Sequence, residues 1–471
     1  MESVDLCYMP ATEMATAIRH KQLSPVEVID AILARIDQVN PCINAYCTVV
    51  PELARQAARE AETAVMRGGE LGFLHGVPIS FKDLTPTAGI RTTSGSKIFE
   101  HFIPQEDALV VQRTKKAGAI LVGKTNTPEF GCKAVTDNRI FGATRNPWNP
   151  ERIAGGSSGG AAAALATGMG PLGEGSDLAG SIRVPASCCG VVGLKPSLGR
   201  VPRYPSVNGW TTFSVIGPMA RTVRDVALLF QVMAGPDDRD PQSLPNTGED
   251  FVTATEAGIR GVRLAWSIDL GYAPIDPLVR QITTAAVKRF VDLGCQVEEA
   301  NPGFENPDHL FRALTAPMRA ANLSSYLDEW RDQIDPILLQ RISQAEGMTA
   351  IVYEQLTQKR MELWQIARRF FARYDLLVTP TVAVPPFAIG INYPTEIDSQ
   401  KVDSPLSWIP FTFPFNLTGQ PAISIPCGWT DEGLPVGLQI VGRRFADAMV
   451  LRAAAAFERA APWANKRPTL K

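Results

Sequence analysis

Apolar and polar positions along the chain follow two different periodicities. Short continuous apolar runs predict buried strands at residues 77–81, 119–122, 262–266, 376–378 and 422–425. Between several of these runs, as at residues 107–117 and 222–233, apolar residues recur at helical spacing. The alternation of strands and helices predicts an α/β protein with a largely buried sheet.

The clearest start of a helix lies near the N-terminus. Ser24 is followed by Pro25 and, three residues on, by Glu27, which is the pattern of a capping box with proline in the first helical position. Apolar residues follow at positions 29, 32, 33 and 36. This pattern predicts an amphipathic helix that begins at Pro25.

Two segments differ from the rest of the chain. Residues 241–358 are rich in charge and in long helical patterns, which is typical either of a helical cap over the core or of ordinary outer helices. Residues 405–420, PLSWIPFTFPFNLTGQ, hold aromatic side chains among prolines that forbid a long helix. Trp408, Phe411 and Phe413 are therefore candidates either to line an apolar pocket or to cover a core.

Composition and charge narrow the range of partners. The chain has 471 residues and a net charge of −2, which leaves no basic face for nucleic acid or for a membrane surface. The N-terminus lacks a secretory signal, and no apolar stretch approaches the roughly 18 residues of a membrane span. The eight cysteines show no metal-binding spacing. We expect a cytoplasmic protein with reduced thiols, no metal or cofactor, and a small, weakly polar partner.

Four short motifs suggest chemistry that their context does not favour. GAILVGKT at 118–125 matches a phosphate loop, but its inner residues are themselves the predicted strand, and GMGPLG at 168–173 follows an alanine-rich helical run. GSSGG at 156–160 matches a nucleophile elbow centred on Ser158, yet only His309 lies downstream. Cys188 and Cys189 could supply a thiol nucleophile or be buried small side chains.

The chain has only four histidines, so a serine nucleophile would need a base other than histidine. A lysine has an ordinary pKa of about 10.4, and burial can lower it by several units. Lys82 ends the apolar run GVPISFK, so its amine could enter the core or lie solvated at a strand end.

Nine motifs together resemble the amidase signature family. They are GVPISFKD at 76–83, GKTNTPEFG at 123–131, GGSSGG at 155–160, GSDLAGSIRVPA at 175–186, CGVVGLKP at 189–196, GPMARTVRD at 217–225, YDLLVTPT at 374–381, NLTGQPAISIP at 416–426 and GLPVGLQIVG at 433–442. The resemblance implies a large mixed β-sheet sandwiched by α-helices. It also implies a single domain over residues 1–471, with a core signature at about 76–225.

The resemblance further implies a Ser-cis-Ser-Lys triad. Lys82 matches the family's base, Ser157 the bridging serine after a cis peptide, and Ser181 the nucleophile. Supporting positions are matched by Ser158, Asp177 and Arg183. The backbone amides expected to converge on the oxyanion are those of Leu178, Ala179, Gly180 and Ser181. The family usually has Thr-Gly-Gly where this chain has Leu178-Ala179-Gly180, which bears on substrate choice more than on the chemistry.

The function implied is hydrolysis of an acyl C–N bond in an amide, anilide or carbamate. Phe130, Phe141 and the aromatic segment favour a substrate with an apolar or aromatic part. The alternatives are the glutaminase component of a tRNA-dependent amidotransferase, a nucleotide-binding protein and a catalytically silent scaffold. The first of these requires a partner chain and a glutamine-binding arginine and acid, which the sequence does not identify. Members of the family are often dimers, so a homodimer is one assembly the resemblance allows.

Overall fold

The computed structural model describes residues 3–469, which form thirteen β-strands and sixteen α-helices. The strands are β1 (Tyr46–Val49), β2 (Pro78–Lys82), β3 (Ile120–Thr125), β4 (Leu172–Asp177), β5 (Val192–Lys195), β6 (Val215–Ala220), β7 (Arg263–Trp266), β8 (Gln296–Glu299), β9 (Leu376–Pro380), β10 (Glu396–Ile397), β11 (Gln400–Lys401), β12 (Ala422–Trp429) and β13 (Pro435–Gly442). The helices are α1 (Ser3–Cys7), α2 (Ala11–Arg19), α3 (Pro25–Ile43), α4 (Pro51–Arg67), α5 (Leu109–Lys116), α6 (Gly159–Ala166), α7 (Arg183–Cys189), α8 (Val223–Met233), α9 (Phe251–Ala254), α10 (Pro277–Asp292), α11 (Asp308–Leu323), α12 (Leu327–Trp330), α13 (Pro336–Ser343), α14 (Ala350–Arg373), α15 (Pro414–Thr418) and α16 (Asp447–Ala460).

Eleven strands form one mixed sheet in the order β1-β3-β2-β4-β6-β5-β12-β13-β9-β7-β8. Strand β2 is parallel to both β3 and β4, and β7 is parallel to both β8 and β9, whereas the other pairs are antiparallel. The five strands predicted from apolar runs are present as β2, β3, β7, β9 and β12. The predicted α/β fold with a large mixed sheet is confirmed. That the whole chain is one domain remains a prediction.

The predicted helix start at Pro25 is confirmed. Ser24 Oγ accepts hydrogen bonds from the amides of Val26 at 3.0 Å and Glu27 at 3.4 Å, which caps α3. The Ser24 hydroxyl in turn donates to Glu62 on α4 at 2.5 Å. The cap therefore also ties α3 to its neighbouring helix.

Residues 241–358 do not form a helical cap as a whole. Their strands β7 and β8 continue the main sheet to one end, so this part belongs to the core architecture. Only the second part, residues 308–343, lies over the site described below, and we call it the covering segment. A small apolar cluster holds it in place, made of Cys132, Leu323, Ile334, Leu338 and Ile342. Among residues 3–469, no helix is long and apolar enough to cross a membrane.

Candidate active site

Two parallel strands end side by side at one edge of the sheet. Lys82 is the last residue of β2, and β4 ends at Asp177. Because the strands are parallel, their carboxyl ends meet at the same edge. Lys82 Nζ lies 3.1 Å from Ser176 Oγ and 2.7 Å from Ser157 Oγ. The side chain of Lys82 is 0 % exposed, so its amine enters the core rather than the solvent.

Ser157 lies in the glycine-rich turn that precedes α6, and the Gly156–Ser157 peptide bond is cis. The glycines around it allow a close approach of residues 126–136. A Cβ at position 156 would lie 2.8 Å from the backbone of Val135, and one at position 160 would collide with the backbone of Asn126 and the carbonyl of Ala45. The turn is thus a tightly packed support for Ser157 and not a flexible linker.

Ser181 lies in the next turn, between β4 and α7. Its carbonyl accepts a hydrogen bond from the amide of Ser158 at 3.0 Å, so the main chain itself joins the two serine-bearing turns. Ser157, Ser176 and Ser181 all contribute to the wall of one cavity. The structure therefore brings together the three residues predicted as base, bridging serine and nucleophile.

Burial controls the protonation of Lys82. Removal from water lowers the pKa of its amine to about 7, while the carboxylates of Glu174 and Asp177 act in the opposite direction. Glu174 is itself buried and accepts hydrogen bonds from the Lys82 amide at 3.0 Å and from Thr85 Oγ1 at 2.9 Å. Burial thus favours the neutral amine, which is the form of lysine that can accept a proton.

The turn that carries Ser181 is anchored by a fully buried ion pair between Asp177 and Arg183. Arg183 Nε donates to Oδ2 at 3.0 Å and Nη2 donates to Oδ1 at 2.9 Å. Burial alone would raise the pKa of Asp177, but the Arg183 guanidinium holds it well below its ordinary value. Asn416 and Gln439 complete the hydrogen bonding of the pair.

The same ion pair corrects one predicted role. The Gly180 amide donates to Asp177 Oδ1 at 2.8 Å, so it is not free to bind an oxyanion. Within the described chain, the amides of Leu178, Ala179 and Ser181 have no hydrogen-bond acceptor. Gly180 is needed for a different reason, because its φ is +120° and a Cβ there would lie 2.5 Å from Thr412 Oγ1.

The cavity above these turns has a volume of about 340 Å³ and largely apolar walls. Its lining comprises Leu84, Phe99, Phe130, Gly131, Ser157, Ser176, Leu178, Ser181, Val207, Ser214, Met318, Arg319, Asn322, Leu323, Tyr326 and Leu338. Phe130, one of the predicted pocket residues, is among them. The rings of Phe130 and Tyr326 pack against Phe99 at centroid distances of 5.9 and 5.7 Å. Part of the cavity wall is therefore aromatic.

The other predicted pocket residues lie elsewhere. Trp408, Phe411 and Phe413 are at most 1 % exposed and belong to an apolar core cluster, where Phe413 packs against Phe311 of α11 at 5.4 Å. Phe141 does not reach the cavity wall, and its ring faces the guanidinium of Arg91 at 5.2 Å. The aromatic segment therefore covers a core, which was the second of its two interpretations.

Several cavity residues were missed by the sequence analysis. Leu84 lies in a turn after β2 and Phe99 ends a short 3₁₀ helix, whereas Arg319 and Tyr326 come from the covering segment more than 200 positions later. None of them belongs to a short motif with a chemical meaning. Only the three-dimensional path of the chain places them together.

The misleading motifs have structural explanations. Lys124 of the phosphate-loop match lies within β3, and its buried amine donates to Thr87 Oγ1 at 2.9 Å and Thr92 Oγ1 at 3.2 Å. Burial raises the pKa of the Cys188 thiol to about 12, which makes it a poor nucleophile. No group of three or more metal-ligating side chains capable of holding an ion occurs between residues 3 and 469.

The chain resembles known proteins in both sequence and structure. A sequence model of the family described as Amidase matches residues 27–451. An acylamidase of Rhodococcus erythropolis is 40 % identical, over 99 % of this chain and 98 % of its own length. The A component of the glutamyl-tRNA(Gln) amidotransferase of Carboxydothermus hydrogenoformans is 38 % identical, over 99 % and 100 %. The crystal structure of a bacterial aryl acylamidase of the amidase signature family superposes with a TM-score of 0.92, at 32 % identity and 97 % coverage of both chains.

Proposed function

The chain belongs to the amidase family, and on this premise we propose that it is a serine amidohydrolase that cleaves amides, anilides or related acyl C–N bonds. The observation that carries the proposal is the 2.7 Å contact between buried Lys82 Nζ and Ser157 Oγ, beside a cavity that also exposes Ser181. The aromatic wall formed by Phe99, Phe130 and Tyr326 supports a substrate with an apolar or aromatic part.

The first chemical step is an attack by Ser181 through a relay of protons. Neutral Lys82 Nζ accepts the proton of Ser157 Oγ as Ser157 accepts the proton of Ser181 Oγ. The electron pair left on Ser181 forms a bond to the carbonyl carbon, and the carbonyl π electrons move onto oxygen. The amides of Leu178, Ala179 and Ser181 are the free donors for this oxyanion, and each such donor contributes about 3 kcal/mol in other hydrolases.

The second step releases the amine and regenerates the enzyme. As the C–N bond breaks, its electron pair takes a proton from Ser157, which recovers one from Lys82. A water molecule then loses its proton along the same relay and attacks the ester of Ser181. The acid is released, and Ser181 Oγ takes back its proton.

The second candidate function is that of the glutaminase component of an amidotransferase, to an example of which the chain is 38 % identical. Glutamine carries an α-ammonium group that needs an acidic partner in a buried site. The cavity wall, as far as residues 3–469 define it, contains Arg319 but no aspartate or glutamate. This charge pattern favours an amide without an ammonium group.

The test is hydrolysis of a panel of aryl anilides, aliphatic amides, aryl carbamates and glutamine by the purified chain alone. We expect anilide hydrolysis to be abolished by Ser181→Ala and retained by the exposed Ser343→Ala control. Anilide activity that survives Ser181→Ala would refute the mechanism, and activity confined to glutamine would favour the second candidate. Cytoplasmic location and a homodimer remain predictions, and gel filtration tests the latter.

A further inference from the structure

One cation in the wall of the active-site cavity has no partner among residues 3–469. Arg319 on α11 is only 8 % exposed, and its Nε is buried without a hydrogen-bond acceptor among the residues the structure describes. Two carboxylates of the covering segment are engaged elsewhere, since Asp308 pairs with Arg312 and Asp335 pairs with Lys133. A buried charge without a counterion is costly, so a guanidinium in this position indicates a missing anion.

A second guanidinium lies behind the first. Arg341 on α13 also has a buried Nε that lacks an acceptor within residues 3–469. Together with Arg319 and Ser181 it lines a second, small pocket of about 20 Å³, next to the Leu178–Ala179–Gly180 turn. Burial, and then repulsion from Arg341, lower the pKa of Arg319 to about 10. Arg319 and Arg341 thus lie close together beside Ser181, and neither pocket wall contains an aspartate or glutamate among residues 3–469.

We propose that Arg319, reinforced by Arg341, binds a carboxylate of the substrate. The inference rests on the proposed function and deepens it, because it defines the substrate class as amides that combine an apolar body with a carboxylate. The planar guanidinium fork matches the two oxygens of a carboxylate, and desolvation in the cavity strengthens the contact. The carboxylate can belong to the acyl part, as in the monoamide of a dicarboxylic acid, or to the amine part, as in an N-acylated amino acid.

Two matched substrate pairs distinguish a carboxylate on the acyl part from one on the amine part. Glutaranilic acid and its near-isosteric neutral analogue 5-methylhexananilide place the carboxylate on the acyl side. Benzoylglycine and N-isobutylbenzamide place it on the amine side. For the pair whose carboxylate substrate the enzyme prefers, we expect Arg319→Met to lower kcat/KM for that substrate about 100-fold. The neutral analogue should change by less than about threefold, and Arg319→Lys should restore part of the preference.

The control is Arg289→Met, which removes an exposed arginine from helix α10. It should leave both members of each pair unchanged. Equal losses for the charged and neutral substrates in Arg319→Met would overturn the inference, as would a wild-type preference for the neutral member of both pairs. In either case neutral anilide hydrolysis that depends on Ser181 would still support the proposed function, so the two failures are distinguishable.

A binding measurement guards against loss of folding. Glutarate should raise the melting temperature of the wild-type protein more than sodium chloride of equal ionic strength, because it binds only the folded state. Arg319→Met should lose this shift while melting, without glutarate, at or above the wild-type temperature, since an unpaired buried charge has been removed. A structural arginine would behave oppositely: the variant would melt earlier, and glutarate would shift neither protein.

Discussion

The lowered pKa of the buried Lys82 amine predicts how activity depends on pH. Its folded pKa of about 7 lies below the ordinary 10.5, so lowering the pH through 7 protonates the proposed base and removes its lone pair. We expect kcat/KM for an anilide to rise about tenfold per pH unit below pH 7 and to level off above it. The measurement is a pH–rate profile from pH 5.5 to 9.

Lys195 provides the control for that profile. Burial also lowers its pKa to about 7, but its amine donates to the carbonyl of Pro196 at 3.0 Å and is absent from the cavity wall. Lys195→Met should therefore keep the inflection near pH 7. A profile that is flat across the range, or one whose inflection disappears with Lys195, would contradict the role of Lys82 as base.

Gly160 tests the packing behind Ser157. An added Cβ would collide with the backbone of Asn126 and the carbonyl of Ala45, which cannot move aside as a flexible side chain would. We expect Gly160→Ala to lower the free energy of unfolding by about 1–3 kcal/mol in urea denaturation. Gly258→Ala, where no atom lies within 4 Å of the new Cβ, should have an effect below about 1 kcal/mol. Equal effects at the two positions would argue against the tight turn.

Single residues show what could and could not be predicted from the sequence. Lys82, Ser157 and Ser181 could be selected because they lie in specific family motifs, although the physics of Lys82 alone allowed a buried or a solvated amine. The hydrogen bond from the Gly180 amide to Asp177 could not be predicted, because it depends on how the carboxylate folds back onto its own loop.

At the scale of elements, strand β4, its turn and helix α7 act as one unit through the Asp177–Arg183 pair. Replacement of Asp177 by asparagine leaves a buried guanidinium without its counterion, which is expected to cost about 3–5 kcal/mol of unfolding free energy. Because Asp177 also holds the Gly180 and Ile182 amides, kcat should fall as well. Urea denaturation and anilide kinetics measure the two effects.

A second ion pair serves as the comparison. Asp375 pairs with Arg263 at 2.8 Å and with Arg443 at 3.1 Å, but these side chains are partly exposed. Asp375→Asn should cost less than about 1 kcal/mol and leave kcat unchanged. Similar losses at both positions would show that the buried pair has no special role in holding the Ser181 turn.

Elements with a strong apolar pattern were predictable, and others were not. Strand β8 reads QVEE and is mostly exposed, so it carries no apolar run, and it exists because it pairs with β7 at the end of the sheet. Of the two strands within residues 241–358, only β7 was therefore predicted from the sequence. Pairing with distant strands, which the local pattern does not contain, decides such cases.

At the scale of the whole molecule, residues 324–343 are the least firmly attached part of the covering segment. Their buried apolar residues lie in a five-residue cluster, whereas α11 and the strands beneath the serines contribute to much larger apolar clusters. We expect amides of residues 324–343 to exchange hydrogen faster than those of β4 and β12. Hydrogen exchange followed by mass spectrometry measures this difference, and equal protection of the two regions would contradict it.

The cavity was the least predictable part of the molecule. Its walls combine loops after β2 and β3 with helices α11 and α13, so their meeting depends on the complete fold. The aromatic segment at 405–420 had the composition of a pocket, yet its prolines and rings pack into a core because α11 lies against them. Composition alone does not distinguish these two environments.

The division between the paired serine turns and the covering segment has a consequence for how new enzymes arise from this scaffold. Residues 82–183 contain the proposed catalytic residues, while residues 308–343 supply six of the residues that line the cavity, and the two stretches are separated by more than a hundred positions. Recombination of residues 308–343 would therefore replace part of the cavity wall and leave the proposed catalytic residues in place. A chimera that receives residues 308–343 from the Rhodococcus erythropolis acylamidase should inherit the donor's substrate range and retain the host's dependence on Ser181.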